Sequence, residues 1–156
     1  MPQWRWEAPC WREWGSAADA ADFATEFACR FVSDRPPYPA INLASCGSLI
    51  TATGNDYGFE QVFARGVQAF GKAGDVFVGI TTSGNSPNIC AALEAAKRLG
   101  LHSIALLGRY GGRARGLAGI ELIVPGAATA RIQEAHKFLL HCICERVEPQ
   151  LAGRPS

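Results

Sequence analysis

Asp75 Val76 Phe77 Val78 Gly79 Ile80 Thr81 Thr82 Ser83 Gly84 Asn85 Ser86 Pro87 Asn88 is the stretch that decides the fold. Its first six residues are a short apolar run rich in β-branched side chains, the pattern of a strand buried in a parallel sheet. Ser86 then suits a helix N-cap and Pro87 the first helical turn, and Ala91, Ala92, Leu93, Ala95 and Ala96 continue as good helix formers. Between strand and helix stand the hydroxyls of Thr81, Thr82, Ser83 and Ser86, and Gly84 lets the backbone approach a ligand closely. A helix N-terminus offers unpaired N–H groups and a partial positive charge, so a phosphate is stabilised there without Lys or Arg. The plainer alternative is an ordinary polar strand-to-helix turn. The lysine and glycine spacings of a P-loop or a GxGxxG loop are missing, so no nucleotide cofactor is expected.

Outward from this stretch, strand and helix signals alternate. Residues 16–32 read as a helix with Phe23, Phe27 and Phe31 in an apolar stripe, ended by Arg35 Pro36 Pro37 Tyr38 Pro39. Residues 40–45 read as a strand, followed by a polar segment through Asn55 Asp56 Tyr57 Gly58. Further helices are expected over 60–70, 87–99 and 129–148, with a short one after Gly112, and further strands over 103–107 and 121–124. Such alternation predicts an α/β three-layer sandwich, a central parallel sheet with helices on both faces. Ligands of such sheets sit beyond the carboxyl ends of the strands, where the 81–86 loop lies.

A chain of 156 residues with 48 % hydrophobic content builds one well-buried domain and is too short for two ordinary ones. Net charge is +1, from 15 basic and 14 acidic residues, so no broad field favours nucleic acid or an anionic membrane. Any phosphate specificity must be local. The basic cluster Arg109 Tyr110 Gly111 Gly112 Arg113 Ala114 Arg115 reads as a solvated loop and helix start. Six cysteines, at 10, 29, 46, 90, 142 and 144, form no CxxC pair and read mostly as small buried hydrophobes in a reducing compartment. With no apolar run of about 18 residues and no signal-peptide core, a cytoplasmic location is expected.

Five segments in order resemble one family: Gly15 Ser16 Ala17 Ala18 Asp19 Ala20, Arg35 Pro36 Pro37 Tyr38 Pro39 Ala40 Ile41, Gly54 Asn55 Asp56 Tyr57 Gly58 Phe59, residues 80–88, and Ala130 Arg131 Ile132 Gln133 Glu134 Ala135 His136. Together they resemble the sugar isomerase (SIS) domain proteins of the phosphoheptose isomerase type. The resemblance implies interconversion of sedoheptulose 7-phosphate and D-glycero-D-manno-heptose 7-phosphate for heptose biosynthesis, in a homotetramer with active sites between subunits. It places Ser16, Thr81, Thr82, Ser83 and Ser86 on the phosphate, Asp56 and Gln133 in the active site, and Glu26 and His141 at the catalytic positions. Those residue types suit the chemistry. Aldose–ketose isomerisation needs a base for a proton beside a carbonyl and an acid for the oxygen as an enediol forms. Read alone, Glu26 is a helix-surface carboxylate and His141 a core-facing histidine; His102 and His136 read as structural or surface residues.

The chain also departs from the family. Isomerases of this type can bind zinc through a histidine, a glutamate, a glutamine and a second histidine; the corresponding residues are Asp22, Glu26, Gln133 and His141. Asp22 and Glu26 share a helix face, and an Asp-Glu-Gln-His set can still hold zinc. Residues 1–14, with all four tryptophans, replace the family's first strand and glycine-rich loop. Codons for Trp11 to Gly15, read one base later, can spell Gly-Gly-Asn-Gly, so this segment is read as an out-of-frame version of that loop. The domain proper is then residues 15–150, and residues 151–156 form a loose tail. A rival reading from another class is a non-catalytic SIS module that binds a sugar phosphate or a replication-initiator protein; retention of His141 favours the isomerase.

Overall fold

The computed structural model describes residues 14–152. Expectations for residues 1–13 and 153–156 therefore lie outside the described residues. In chain order the elements are α1 (Trp14–Ala28), α2 (Gly47–Tyr57), α3 (Val62–Phe70), β1 (Val76–Thr81), α4 (Pro87–Arg98), β2 (His102–Gly108), β3 (Ile120–Val124) and α5 (Thr129–Ala152). The strands form a parallel sheet in the order β1-β2-β3, with Val76 opposite His102, Thr81 opposite Leu107 and Gly108 opposite Val124.

The two-residue period of β2 divides the core between the two faces of the sheet. Ala105 and Leu107 pack with Cys90 and Leu93 of α4 and with Ala114. Leu106 points the other way, into a cluster with Ile80, Leu140 of α5 and Phe23 of α1. Leu93, Leu106 and Leu107 are completely buried, each contributing about 1.5–3 kcal/mol of transfer free energy. A third cluster joins α3 to α4 through Ala64, Val67, Ala92, Ala95 and Ala96, small side chains that let the two helices approach closely. This is the expected three-layer arrangement.

One expectation fails here. Residues 40–45 are not a strand: Leu43–Ser45 is a 3-10 turn started by Asn42, whose side chain accepts the Ala44 N–H at 3.0 Å and donates to Ser45 Oγ at 2.8 Å. The polar segment that follows forms α2, a helix that the sequence pattern does not assign. Gly47, Thr51, Thr53 and Gly54 are weak helix formers, but Thr53 is buried against the domain and the Thr51 hydroxyl bonds back to the Gly47 and Ser48 carbonyls. Tertiary packing overrides local propensity here.

At the far end of α5 a carboxylate ties down the chain that follows α1. Glu148 accepts the backbone N–H groups of Phe31 and Val32 at 2.9 Å and Ser33 at 3.0 Å, and Arg35 Nε at 3.2 Å. Arg35 also donates to the carbonyls of Phe27 at 2.9 Å and Glu26 at 2.5 Å. The Ser33 N–H first, then those of Val32 and Phe31 and the Arg35 guanidinium, hold the Glu148 carboxyl at about 2 against an ordinary 4.5. No helix among the described residues is long and apolar enough to cross a membrane.

Candidate active site

β1 ends at Thr81 and α4 begins at Pro87, and the loop between them gathers its hydroxyls. Thr81 Oγ1 lies 2.9 Å from Ser86 Oγ and 3.3 Å from Ser83 Oγ. Ser86 occupies the N-cap position as expected, but its side chain makes no capping bond and is turned to Thr81 instead. Asn85, which sequence reading passed over, fixes the loop's shape. Its N–H donates to Ser83 Oγ at 3.1 Å, its Nδ2 to the Ser83 carbonyl at 3.0 Å, and its Oδ1 accepts the Arg113 N–H at 3.0 Å. The signal available was its place directly after a glycine at a turn.

The basic segment supports the loop with backbone: the Ala114 N–H donates to the Gly84 carbonyl at 2.9 Å. Gly84 has φ +67°, and a Cβ on it would stand 2.3 Å from the Gly111 oxygen. Gly108, at the end of β2, is as constrained, since its Cβ would meet the Thr82 oxygen at 2.0 Å. Gly108→Ala is therefore expected to push Thr82 out of place and raise KM for a sugar phosphate about tenfold, or about 1.4 kcal/mol of binding, with kcat changed less. An unchanged KM would separate Thr82 from the substrate. The side chains of Arg109, Tyr110, Arg113 and Arg115 are exposed, as the sequence predicted.

The remaining expected residues follow α1 and α5. The two helices run parallel: Lys137 meets Asp19 and Asp22, whereas farther along Glu26 and Phe27 share a tight crevice with Phe31, Arg35, Cys144 and Glu148. Ser16 lies on the first turns of α1 and Gln133 on those of α5, next to Ile132, whose Cγ2 would be 2.8 Å from a Cβ on Gly108. Gln133 thus stands near the carboxyl end of β2. Glu26 and His141 lie farther down their helices, both half-buried, and the His141 ring packs at 5.7 Å against Phe31. Among the described residues no hydrogen bond or ion pair joins Glu26 to His141. Asp56 is exposed at the end of α2, and the turn after it supplies Phe59 and Glu60 to an open groove of about 280 Å³ completed by Pro87 and Asn88. That groove adjoins Ser86.

His136 is fully buried, and neither ring nitrogen has a hydrogen-bond partner. Burial pushes its pKa down, outweighing the Leu107 carbonyl and the Asp19 carboxylate that would favour the cation. Asp19 is itself pushed up, by burial first and against the pull of Lys137. His102 is exposed at the start of β2. Among the described cysteines, all free, Cys90 and Cys144 are buried as expected while Cys29 is exposed. Burial raises the Cys144 thiol to about 11, with the Glu26 carboxylate adding to the rise.

The expected zinc donors do not fit one metal ion within a chain. Gln133 and His141 are eight residues apart on α5, a rise of about 12 Å, and Asp22 is occupied by the Lys137 ammonium. No three His, Cys, Asp or Glu among the described residues are placed to share a metal.

A family model described as the SIS domain matches residues 14–108. The chain is 49% identical to the phosphoheptose isomerase of Trichlorobacter lovleyi over 139 residues, 89% of this chain and 71% of the relative. It is 52% identical to that of Citrifermentans bemidjiense over 137 residues, 88% of this chain and 71% of the relative. Among solved structures it is similar to a phosphoheptose isomerase from Neisseria gonorrhoeae, with TM-score 0.78 and 46% identity, covering 85% of this chain and 71% of that one. A phosphoheptose isomerase from Francisella tularensis gives TM-score 0.80 and 42% identity, covering 84% and 70%.

Proposed function

The chain belongs to the SIS domain family, in its phosphoheptose isomerase branch, and we propose that it interconverts sedoheptulose 7-phosphate and D-glycero-D-manno-heptose 7-phosphate through an enediol. The observation that carries this reading is the hydroxyl cluster of Thr81, Ser83 and Ser86 at the carboxyl end of β1, facing the start of α4. Such a loop suits a phosphate dianion, which gains hydroxyl donors and the positive end of a helix. Thr82 and Ser16 complete the phosphate's surroundings in this reading. Asp56 and Gln133 position the sugar chain.

Glu26 and His141 supply the base and the acid. One proton leaves the carbon next to the carbonyl and is returned to the neighbouring carbon, while the acid protonates the carbonyl oxygen and the adjoining hydroxyl gives up its own. Atoms balance with no oxidant or reductant. Zinc, implied by the resemblance, is given no step, because the donor set does not fit it within the chain. Gln133 and His141, at different levels of α5, serve different parts of a site shared between subunits of a homo-oligomer, a tetramer by family resemblance. The same reading places the enzyme in the cytoplasm, in keeping with the free thiols of its described cysteines.

The test is incubation of purified protein with sedoheptulose 7-phosphate and separation of the two sugar phosphates. Formation of the heptose product is the expected result. Binding without turnover by a folded, oligomeric sample would overturn the isomerase in favour of a non-catalytic sugar-phosphate module.

A further inference from the structure

The expected zinc donors and the observed ion pairs disagree over Asp22. Asp19, Asp22 and Glu26 stand at i, i+3 and i+7 of α1 and so share one stripe of the helix. Three carboxylates along a stripe repel one another unless a cation is set among them. α5 brings that cation: Lys137 Nζ hydrogen-bonds to the Asp22 carboxylate and lies 3.6 Å from Asp19 Oδ1. The Asp19 side chain is only 11 % exposed, so Lys137 partners a carboxylate that water cannot fully solvate. His136, the residue before Lys137, is buried and adds no positive charge in its neutral form.

We propose that the Lys137 ammonium stands in the place of a divalent metal between α1 and α5, so that this chain needs none at Asp22. A lysine ammonium is a compact point charge with three donors, well matched to two carboxylates that approach from one helix. Zinc would have to displace it and then collect four ligands at about 2.0–2.2 Å, with Gln133 and His141 a dozen ångströms apart. The inference rests on the proposed function only for matching Asp22 to a metal position.

The full chain, stripped with a chelator and dialysed against zinc, is expected to retain no stoichiometric metal and to melt at the same temperature with and without zinc. Lys137→Met removes this half-exposed cation and leaves the Asp19 and Asp22 carboxylates unpaired, so zinc, taken up by those two carboxylates and not by a four-donor site, is expected to raise its melting temperature while leaving that of wild type unchanged. Lys137→Arg keeps the charge and is expected to behave as wild type. One zinc retained per wild-type chain would overturn the proposal, as would a Lys137→Met melting temperature that zinc leaves unchanged. Should Lys137→Met fail to fold, retention by wild type and Lys137→Arg decides. None of these readouts uses turnover, so a failed proposal and a failed isomerase reading are told apart.

Discussion

Glu26→Gln is expected to lower kcat by about 10²–10⁴-fold, the usual contribution of a positioned general acid or base, with KM changed little. Glutamine keeps the size and the hydrogen-bonding reach of the side chain but cannot accept a proton from carbon. The surroundings of Glu26 make this a clean substitution. Its backbone carbonyl is held by Arg35 Nη2 at 2.5 Å, so the position of α1 depends on main chain and not on the carboxylate. The phosphate loop is built between β1 and α4 and its shape is fixed by Asn85 and Arg113, so substrate affinity there is expected to change little. Equal loss of kcat and kcat/KM would mark an interaction made only in the transition state. Wild-type kcat in the Glu26→Gln variant would remove Glu26 from the chemistry, and a raised KM alone would make it a binding residue.

How much of this was legible in the sequence differs from element to element. β1, β2 and α4 could be read because short β-branched runs and an alanine-rich helix differ in period and are punctuated by Gly84, Ser86 and Pro87. α2 could not, because its glycines and threonines are poor helix formers and it is held by burial of Thr53, which no local pattern announces. The phosphate loop was visible as a row of hydroxyls, but the role of Asn85 in bracing it depends on Arg113, 28 residues away. Likewise the Asp19, Asp22 and Glu26 stripe is a spacing, whereas the pairing of Lys137 with Asp19 and Asp22 needs α1 and α5 to pack side by side. Glu148 offered one signal. A glutamate near the carboxyl end of a helix, just before Pro149, opposes the helix dipole and needs donors from elsewhere.

Those donors make Arg35→Met the substitution with the largest expected effect on stability. The Arg35 side chain is 2 % exposed and its partner 6 %, so the substitution removes the charged partner of a carboxylate that keeps its three backbone N–H donors, together with the donors to the Glu26 and Phe27 carbonyls. For a chain of this length the loss of that charge-assisted bonding is expected to lower Tm by roughly 3–12 °C. Acid should act on the same clamp. Glu148 binds its proton more weakly folded, at about 2, than its ordinary 4.5. Its contribution is therefore complete above about pH 4.5 and is lost as pH falls toward 2. Asp19 has the opposite sign: its raised pKa makes the folded chain bind a proton more readily, so it gains stability as pH falls through its folded value. The two slopes are separable by denaturant melts of Glu148→Gln, which should lose the acid-sensitive part below pH 4.5, and of Asp19→Asn, which should steepen it. Unchanged pH dependence in Glu148→Gln would show that its N–H partners do not hold the proton off. Because Arg35 also grips the Glu26 and Phe27 carbonyls, Arg35→Met is expected to lower kcat even at temperatures where the protein remains folded, linking the clamp at one end of α5 to the base on α1.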